Sequence, residues 1–420
     1  MKRRDFIVKT AVGSAATLSY SQLYASIYKE IESTAVQTNY DVIVIGVGSM
    51  GSSTCYQLAK KGYKVLGLEQ FDIPHELGSH SGQSRIIRKA YGEASDYVPL
   101  LERAYENWKT LESETGTQVY YKTGLVYFGA KNDPFLATVK KSSSQYNIPV
   151  NSLTEKECKN KYPQFELPTD FERLEEPDAG LLTPERSILL FVQEALFKGA
   201  VIRTKEKVLE WKRENGTITV KTNKGTYQTK KLVITAGPWA GKMIAIIAPK
   251  LKVTRQALAW VQPKKWDNFV LGKFPCWNII NDGYDFYGFP ILPVGKFGAP
   301  LGLKLALHYP GGDATDPYKV NRNAKEADEK VLIQFLNKFM PDGYKNTLEM
   351  KTCLYTNTPD ENFIVDYLPG FDKDVAIAAG FSGHGFKFAS VIGEIMADLA
   401  TNGSTQLPIG FLHAQRFGNK

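Results

Sequence analysis

The chain has 420 residues, of which 43% are hydrophobic, 23% charged and 12% aromatic, too long for one small core and suited to a two-domain globular protein. Its formal charge is +8, yet no run of five like charges occurs, which argues against nucleic acid and leaves a mild positive field suited to anionic small molecules. Four scattered cysteines without a CxxC pair argue against a disulfide framework, five histidines without ligand spacing against zinc, and the lack of an apolar run of about eighteen residues against a stable membrane span.

Residues 2–9 read KRRDFIVK, a twin arginine followed by a polar residue, Phe and an apolar pair. That is the pattern of a twin-arginine export signal. Residues 10–25 are only modestly apolar, and Ser33-Thr34-Ala35 offers a small-residue cleavage site. The expectation is a bacterial protein exported to the periplasm, or otherwise outward, by the twin-arginine machinery, with residues 1–38 as signal and linker. An uncleaved anchor or a fortuitous basic start is the other reading.

Tyr40 to Ile45, YDVIVI, is a continuous apolar run of the kind buried on both faces of a parallel sheet. Gly46-Val47-Gly48-Ser49-Met50-Gly51 follows, then helical residues to Lys61, a capping Gly62 and a second strand over Val65 to Leu68. Gly46 allows the tight turn, Gly48 lets backbone approach a pyrophosphate, and Gly51 lets the helix lie close to the strand. Ser49 and Met50 open the helix whose free N–H groups would face the phosphates. Glu69, at the end of the second strand, is placed to accept the ribose hydroxyls. Strand, helix and acid together make a dinucleotide site; a glycine turn in an unrelated α/β protein is the plainer alternative.

Gly78 to Arg88, GSHSGQSRIIR, surrounds His80 with small residues and leads to Arg85 and Arg88. If that end is helical, the two guanidiniums share a face and could steady a reduced flavin and hold a carboxylate; otherwise they form a solvated basic face. Asp96 to Glu114 is amphipathic and helical, as is Ser187 to Lys198. Asn215-Gly216 and Asn223-Lys224-Gly225 punctuate short alternating runs, read as an antiparallel meander, and Leu232 to Thr235 returns to a buried parallel strand. Residues 251–310 are strand-rich with repeated aromatics. Val375 to Ala378 is a further buried strand and Ser390 to Ala400 a closing helix.

A parallel nucleotide domain interrupted by a meander points to a flavin fold. The expected class is α/β plus α+β: a Rossmann-type FAD-binding domain over 39–120, 180–250 and 350–420, and a largely antiparallel β substrate domain over 121–179 and 251–349. Within Leu303 to His308, alternation points Lys304 away from its leucine neighbours and brings His308 to the same strand face. On residues alone, Lys304 also reads as a snorkelling surface lysine, His308 as a core histidine and Cys353 as an inert buried thiol.

Several segments together, YDVIVIGVGSMG, Phe71 to His80, RIIRKAYGE at Arg85 to Glu93, CLYTNTPDENFIVD and AAGFSGHGFKF, resemble the monomeric sarcosine oxidase and N-methyltryptophan oxidase family over about residues 39 to 400. The resemblance implies FAD, held covalently through Cys353. It implies catalytic roles for Lys304 beside flavin N5, for the pocket histidine His308, and for Arg85 over the ring. It implies that Arg88 and Lys387 grip the substrate carboxylate, and that the loop carrying Gly383 and Gly385 meets the flavin pyrimidine edge. The activity implied is oxidation of the secondary amine of an N-alkyl amino acid, with O2 as acceptor and hydrogen peroxide as product, by a monomer. Phe286 departs from the family pattern by lacking a pocket hydroxyl, and the loop Ile291 to Pro300 is longer; both bear on the substrate side chain. A dehydrogenase serving a quinone or carrier, an oxidase of glycine, cyclic or glycated amino acids, and a flavin module without turnover remain alternatives.

Overall fold

The structure, a computed structural model, describes residues 39–418; the export signal expected over residues 1–38 lies outside them. The chain opens with β1 (Asn39–Ile45), α1 (Ser49–Lys60) and β2 (Val65–Leu68). There follow β3 (Arg85–Ile87), α2 (Val98–Thr115), β4 (Tyr120–Tyr121), β5 (Leu125–Ala130), α3 (Pro134–Tyr146), β6 (Asn151–Ser152), α4 (Glu155–Lys161), β7 (Phe171–Glu176) and β8 (Gly180–Leu182). Then come α5 (Pro184–Phe197), β9 (Val201–Arg203), β10 (Val208–Glu214), β11 (Thr217–Thr222), β12 (Thr226–Ile234), β13 (Lys252–Gln262), β14 (Cys276–Asn281), β15 (Tyr284–Phe289) and β16 (Leu303–Tyr309). The chain closes with α6 (Glu326–Phe339), β17 (Asn346–Asn357), β18 (Ile364–Tyr367), β19 (Val375–Ala379) and α7 (Ala389–Asn402).

One sheet carries the nucleotide end. β1 lies parallel between β12 and β2, and β2 continues parallel to β9. Alternation in β1 sends Val42 and Val44 into one apolar cluster and Ile43 and Ile45 into another, so the strand is buried on both faces. α1 packs between α5 and α7 on the first face. The expected meander and the buried strand after it are one continuous strand: β12 pairs antiparallel with β11 over Thr226–Thr229, then parallel with β19 over Leu232–Ile234. β11 and β10 extend the same sheet beside the first part of β12, and β19 joins beside its last part.

The second sheet runs in the order β17-β13-β16-β15-β14-β5-β7-β6, antiparallel throughout except for the parallel pair β14–β5. A third, small sheet orders β3-β8-β4. β17 crosses residue 350, so the segment with Cys353 is hydrogen-bonded along β13 rather than to the nucleotide sheet. The far face of the second sheet is closed by α6, with Trp277, Phe286, Phe335 and Phe339 in one cluster. The near face presents Leu258, Trp260, Ala306, Cys353 and Tyr355, with Tyr287 packed beside them.

Arg85 starts a strand, not a helix. β-branched Ile86 and Ile87 pair with Leu181 and Gly180 of β8, which removes the helical reason for the arginines to share a face. Phe286 does not belong to the pocket: its ring lies 4.0 Å from that of Phe335 on the far face. Burying such a ring is worth roughly 1.5–3 kcal/mol, which holds it there. Among the described residues, no helix is long and apolar enough to cross a membrane.

Candidate active site

A long cavity runs from the end of β1 to the near face of the second sheet. Gly46, Gly48, Ser49, Met50, Glu69, Arg85, Arg88, His308, Gly383, Gly385 and Lys387 all line it. Of the residues expected from the sequence, Lys304, Cys353 and Gly51 stand one layer behind this lining.

The nucleotide end follows from local sterics. At Gly46 (φ +87°) a Cβ would lie 2.6 Å from the Thr235 carbonyl oxygen, and at Gly51 1.8 Å from the Gly46 oxygen, so helix and strand meet only through glycine. A Cβ on Gly48 would meet only His80, at 3.8 Å, so that position faces open cavity. Glu69 accepts from the Val47 N–H at 2.9 Å and the Phe71 N–H at 3.0 Å, and burial raises its pKa. Phe71 stacks toward Trp239 (5.1 Å) and His75 (4.9 Å), which in turn meets His80 (5.0 Å). Burial lowers the pKa of His75 to about 3 and of His80 to about 4, so both rings are neutral.

The loop before β3 is clamped by two cations. Arg85 donates to the carbonyls of Ser79, Ser81 and Ser84 at 3.0, 2.6 and 2.9 Å. Lys304 Nζ donates to Gly82 O at 2.5 Å, Ser84 O at 2.7 Å and Ser84 Oγ at 3.2 Å, with the Phe289 ring centroid 4.5 Å away. Burial, then the Arg85 guanidinium, pulls the Lys304 pKa well below that of a free lysine. Burial raises the Cys353 thiol, opposed by Arg85, Lys304 and Arg322. Cys353 packs in the same near-face cluster as Trp260, whose ring centroid lies 5.6 Å from Lys304 Nζ.

At the sheet end, β16 carries a bulge. Asp285 opposes Tyr309 and Phe286 opposes Leu307, so His308 is the extra residue and turns into the cavity. Its Nδ1 lies 3.2 Å from Tyr355 Oη, and burial brings its pKa to about 4. Arg88 is not free: Nη2 donates to both Glu93 oxygens at 2.6 and 2.5 Å. Burial alone would raise the Glu93 pKa; the guanidinium outweighs it and holds it at about 2. Lys387 Nζ donates to His384 O at 2.8 Å, and burial, then Arg88, brings its pKa to about 7. In the glycine loop, two N–H groups are already used: Ser382 bonds Thr356 O and His384 bonds Phe381 O, leaving fewer for a ligand than the loop's length suggests.

Tyr355, Glu93, Asn278 and Asp285 are among the cavity-lining residues that were not singled out from the sequence. Alternation from Cys353 reaches Tyr355, and alternation from Tyr287 reaches Asp285. Glu93 lies inside the RIIRKAYGE segment.

The donor set fits a flavin dinucleotide. His80 Nε2, Trp239 Nε1, Thr356 Oγ1 and Arg88 Nε belong to residues that line the cavity, each atom buried with no partner among the described residues. Buried polar atoms without partners are costly, so such a row marks where a polar ligand lies. The family model for FAD dependent oxidoreductases, DAO, matches residues 41–399. The chain belongs to this family of FAD-dependent oxidoreductases. The flavoenzyme is 36% identical over 386 residues to monomeric sarcosine oxidase of Bacillus sp. (strain NS-129), covering 91% of this chain and 98% of that one. It is 34% identical to N-methyl-L-tryptophan oxidase of Yersinia pestis (strain Pestoides F), covering 90% and 100%. Among solved structures, NikD, an amino acid oxidase essential for nikkomycin biosynthesis, shares the fold with a TM-score of 0.78 at 24% identity, over 90% of this chain and 98% of that one.

Proposed function

We propose that this enzyme oxidises the secondary amine of an N-alkyl amino acid and delivers the electrons to O2 as hydrogen peroxide. The observation that carries the reading is the convergence of two buried cations, Arg88 and Lys387, on the sheet end of a cavity whose other end is a dinucleotide fingerprint. FAD bound there supplies a two-electron acceptor that takes a hydride from the carbon next to nitrogen and returns the electrons to oxygen.

The residues of the chain do the rest. Arg88 and Lys387 bind and orient the carboxylate, each charge-assisted contact contributing roughly 1.5–3 kcal/mol. His308, neutral above about pH 4, offers its ring to the substrate with Tyr355 fixing its plane. Arg85 and Lys304 hold the 79–84 loop rigid and place positive charge where an electron-rich ring and reduced oxygen gain from it. Cys353 supplies the covalent link to FAD in this reading, and residues 2–9 direct export to the periplasm.

A peroxide assay on purified protein across sarcosine, N-methyltryptophan, pipecolate, a glycated amino acid and glycine tests the reading. Peroxide is expected with N-methyl amino acids and not with their decarboxylated amines. Equal turnover of amine and amino acid would remove Arg88 and Lys387 from substrate binding.

A further inference from the structure

We propose that the substrate carries a second, basic nitrogen a few bonds from its carboxylate, held by Asp285 and Asn278. This rests on the amino acid oxidase reading above and adds the chemistry of the far end of the substrate.

The hairpin makes the site. β14 and β15 join through Asp282 and Gly283, both at positive φ, a two-residue loop that fixes the register. In that register Asn278 lies opposite Tyr287 and beside Asp285, and all three line the cavity. Phe286, between them, points the other way.

With Asp285 ionised, the pair presents only acceptors to the cavity. The Asn278 amide nitrogen donates to the Asp285 carboxylate, which settles which end of the amide is which. Asn278 Oδ1 is then left buried with no partner, in a residue only 4% exposed. Asp285 forms no ion pair among the described residues. Burial lifts its pKa to about 7, against the pull of Arg88. Asp285 is partly buried at the cavity wall, and a cation placed against it would favour its charged form.

A methyl group or an aromatic ring in that corner would leave Asn278 Oδ1 without a partner and the Asp285 carboxylate without a counter-charge. A hydroxyl brings one proton, whereas an ammonium or guanidinium brings two or more together with the compensating charge. The Arg88 guanidinium lies 5.9 Å from the ring centroid of Tyr127, which sits opposite Asn278 in the β14–β5 register, so the carboxylate-binding end and the acceptor pair are neighbours. The basic nitrogen therefore lies on a short side chain or N-substituent of the amino acid.

The test is calorimetric titration of the FAD-loaded enzyme with 5-aminopentanoate and with hexanoate, its near-isostere without the amine, alongside anaerobic reduction by N-methyl-lysine and N-methyl-norleucine. The amine-bearing carboxylate should bind roughly ten- to a hundredfold more tightly, as a charge-assisted hydrogen bond predicts. In Asp285→Asn and, separately, Asn278→Ala, that ratio should fall toward one. Two variants guard against one failing to fold, with the bound-flavin spectrum reporting integrity. Equal binding of the two carboxylates by the parent, or an unchanged ratio in both variants, overturns the inference. An intact ratio with no flavin reduction by either N-methyl amino acid overturns the oxidase reading alone. A uniform loss of reduction rate for both substrates in Asp285→Asn, with the ratio kept, would make Asp285 a proton acceptor instead and overturn it too.

Discussion

Arg88→Leu separates two jobs that the structure gives to one side chain. The guanidinium neutralises Glu93 through two contacts of 2.5 and 2.6 Å, with the two side chains only 7% and 19% exposed. Removing one partner of a buried pair costs about 3–5 kcal/mol. Glu93 recovers part of that by taking up a proton once the charge that holds its pKa at about 2 is gone, so the lower end, about 3 kcal/mol, is expected. The same substitution removes a carboxylate contact of about 1.5–3 kcal/mol, which is about ten- to a hundredfold in kcat/KM. Adding Glu93→Gln removes the stranded charge. The double variant should therefore regain much of the thermal stability of the parent but none of the lost kcat/KM for sarcosine. Thermal unfolding and steady-state kinetics on the parent and the three variants form one cycle. If the double variant recovered both stability and activity, Arg88 would act only through Glu93, and its role in gripping substrate would be refuted.

Three further outcomes follow from the same geometry. Cys353→Ala should release its yellow colour on acid denaturation while the parent keeps it on the pellet; colour leaving both would remove the covalent link. Lys304→Met should slow reoxidation by O2 far more than reduction by substrate in stopped-flow experiments; equal slowing would reduce Lys304 to a clamp on the 79–84 loop. Lys387 is protonated below about pH 7, and Asp285 becomes an anion above about pH 7, so both weaken binding of a simple carboxylate such as acetate as pH rises through 7. Acetate affinity should thus be highest on the acidic side, with Lys387→Met flattening the profile; an affinity that rises with pH would contradict the assignment.

The nucleotide half was legible because its signals follow one another in the chain. An apolar strand, a glycine turn and a closing acid report such a unit together, although the contact that requires glycine at 46 comes from the distant Thr235. The alternation that put Lys304 and His308 on one face also survives, although a bulge lies beside His308. What the sequence concealed depends on partners far away. Arg85 takes its conformation from β8, nearly a hundred residues on, and Arg88 follows that strand and is held by Glu93, so a helical spacing rule misled. Counting aromatics before Gly288-Phe289-Pro290 singled out Phe286 for the pocket, whereas the hairpin register turns it to the α6 side and brings Asp285 and Tyr287 in. The loop Ile291 to Pro300 reaches instead toward Gln83, whose amide donates to Gly298 O and Pro300 O, and none of its residues lines the cavity.

The most direct measurement is anaerobic mixing of the flavin-loaded enzyme with an N-methyl amino acid, followed by admission of air. The account predicts that the visible flavin absorbance bleaches, that it returns with oxygen, and that one peroxide forms per flavin reoxidised. A flavin that stays oxidised with every secondary amino acid, yet bleaches with a primary amine or a hydroxy acid, would contradict it.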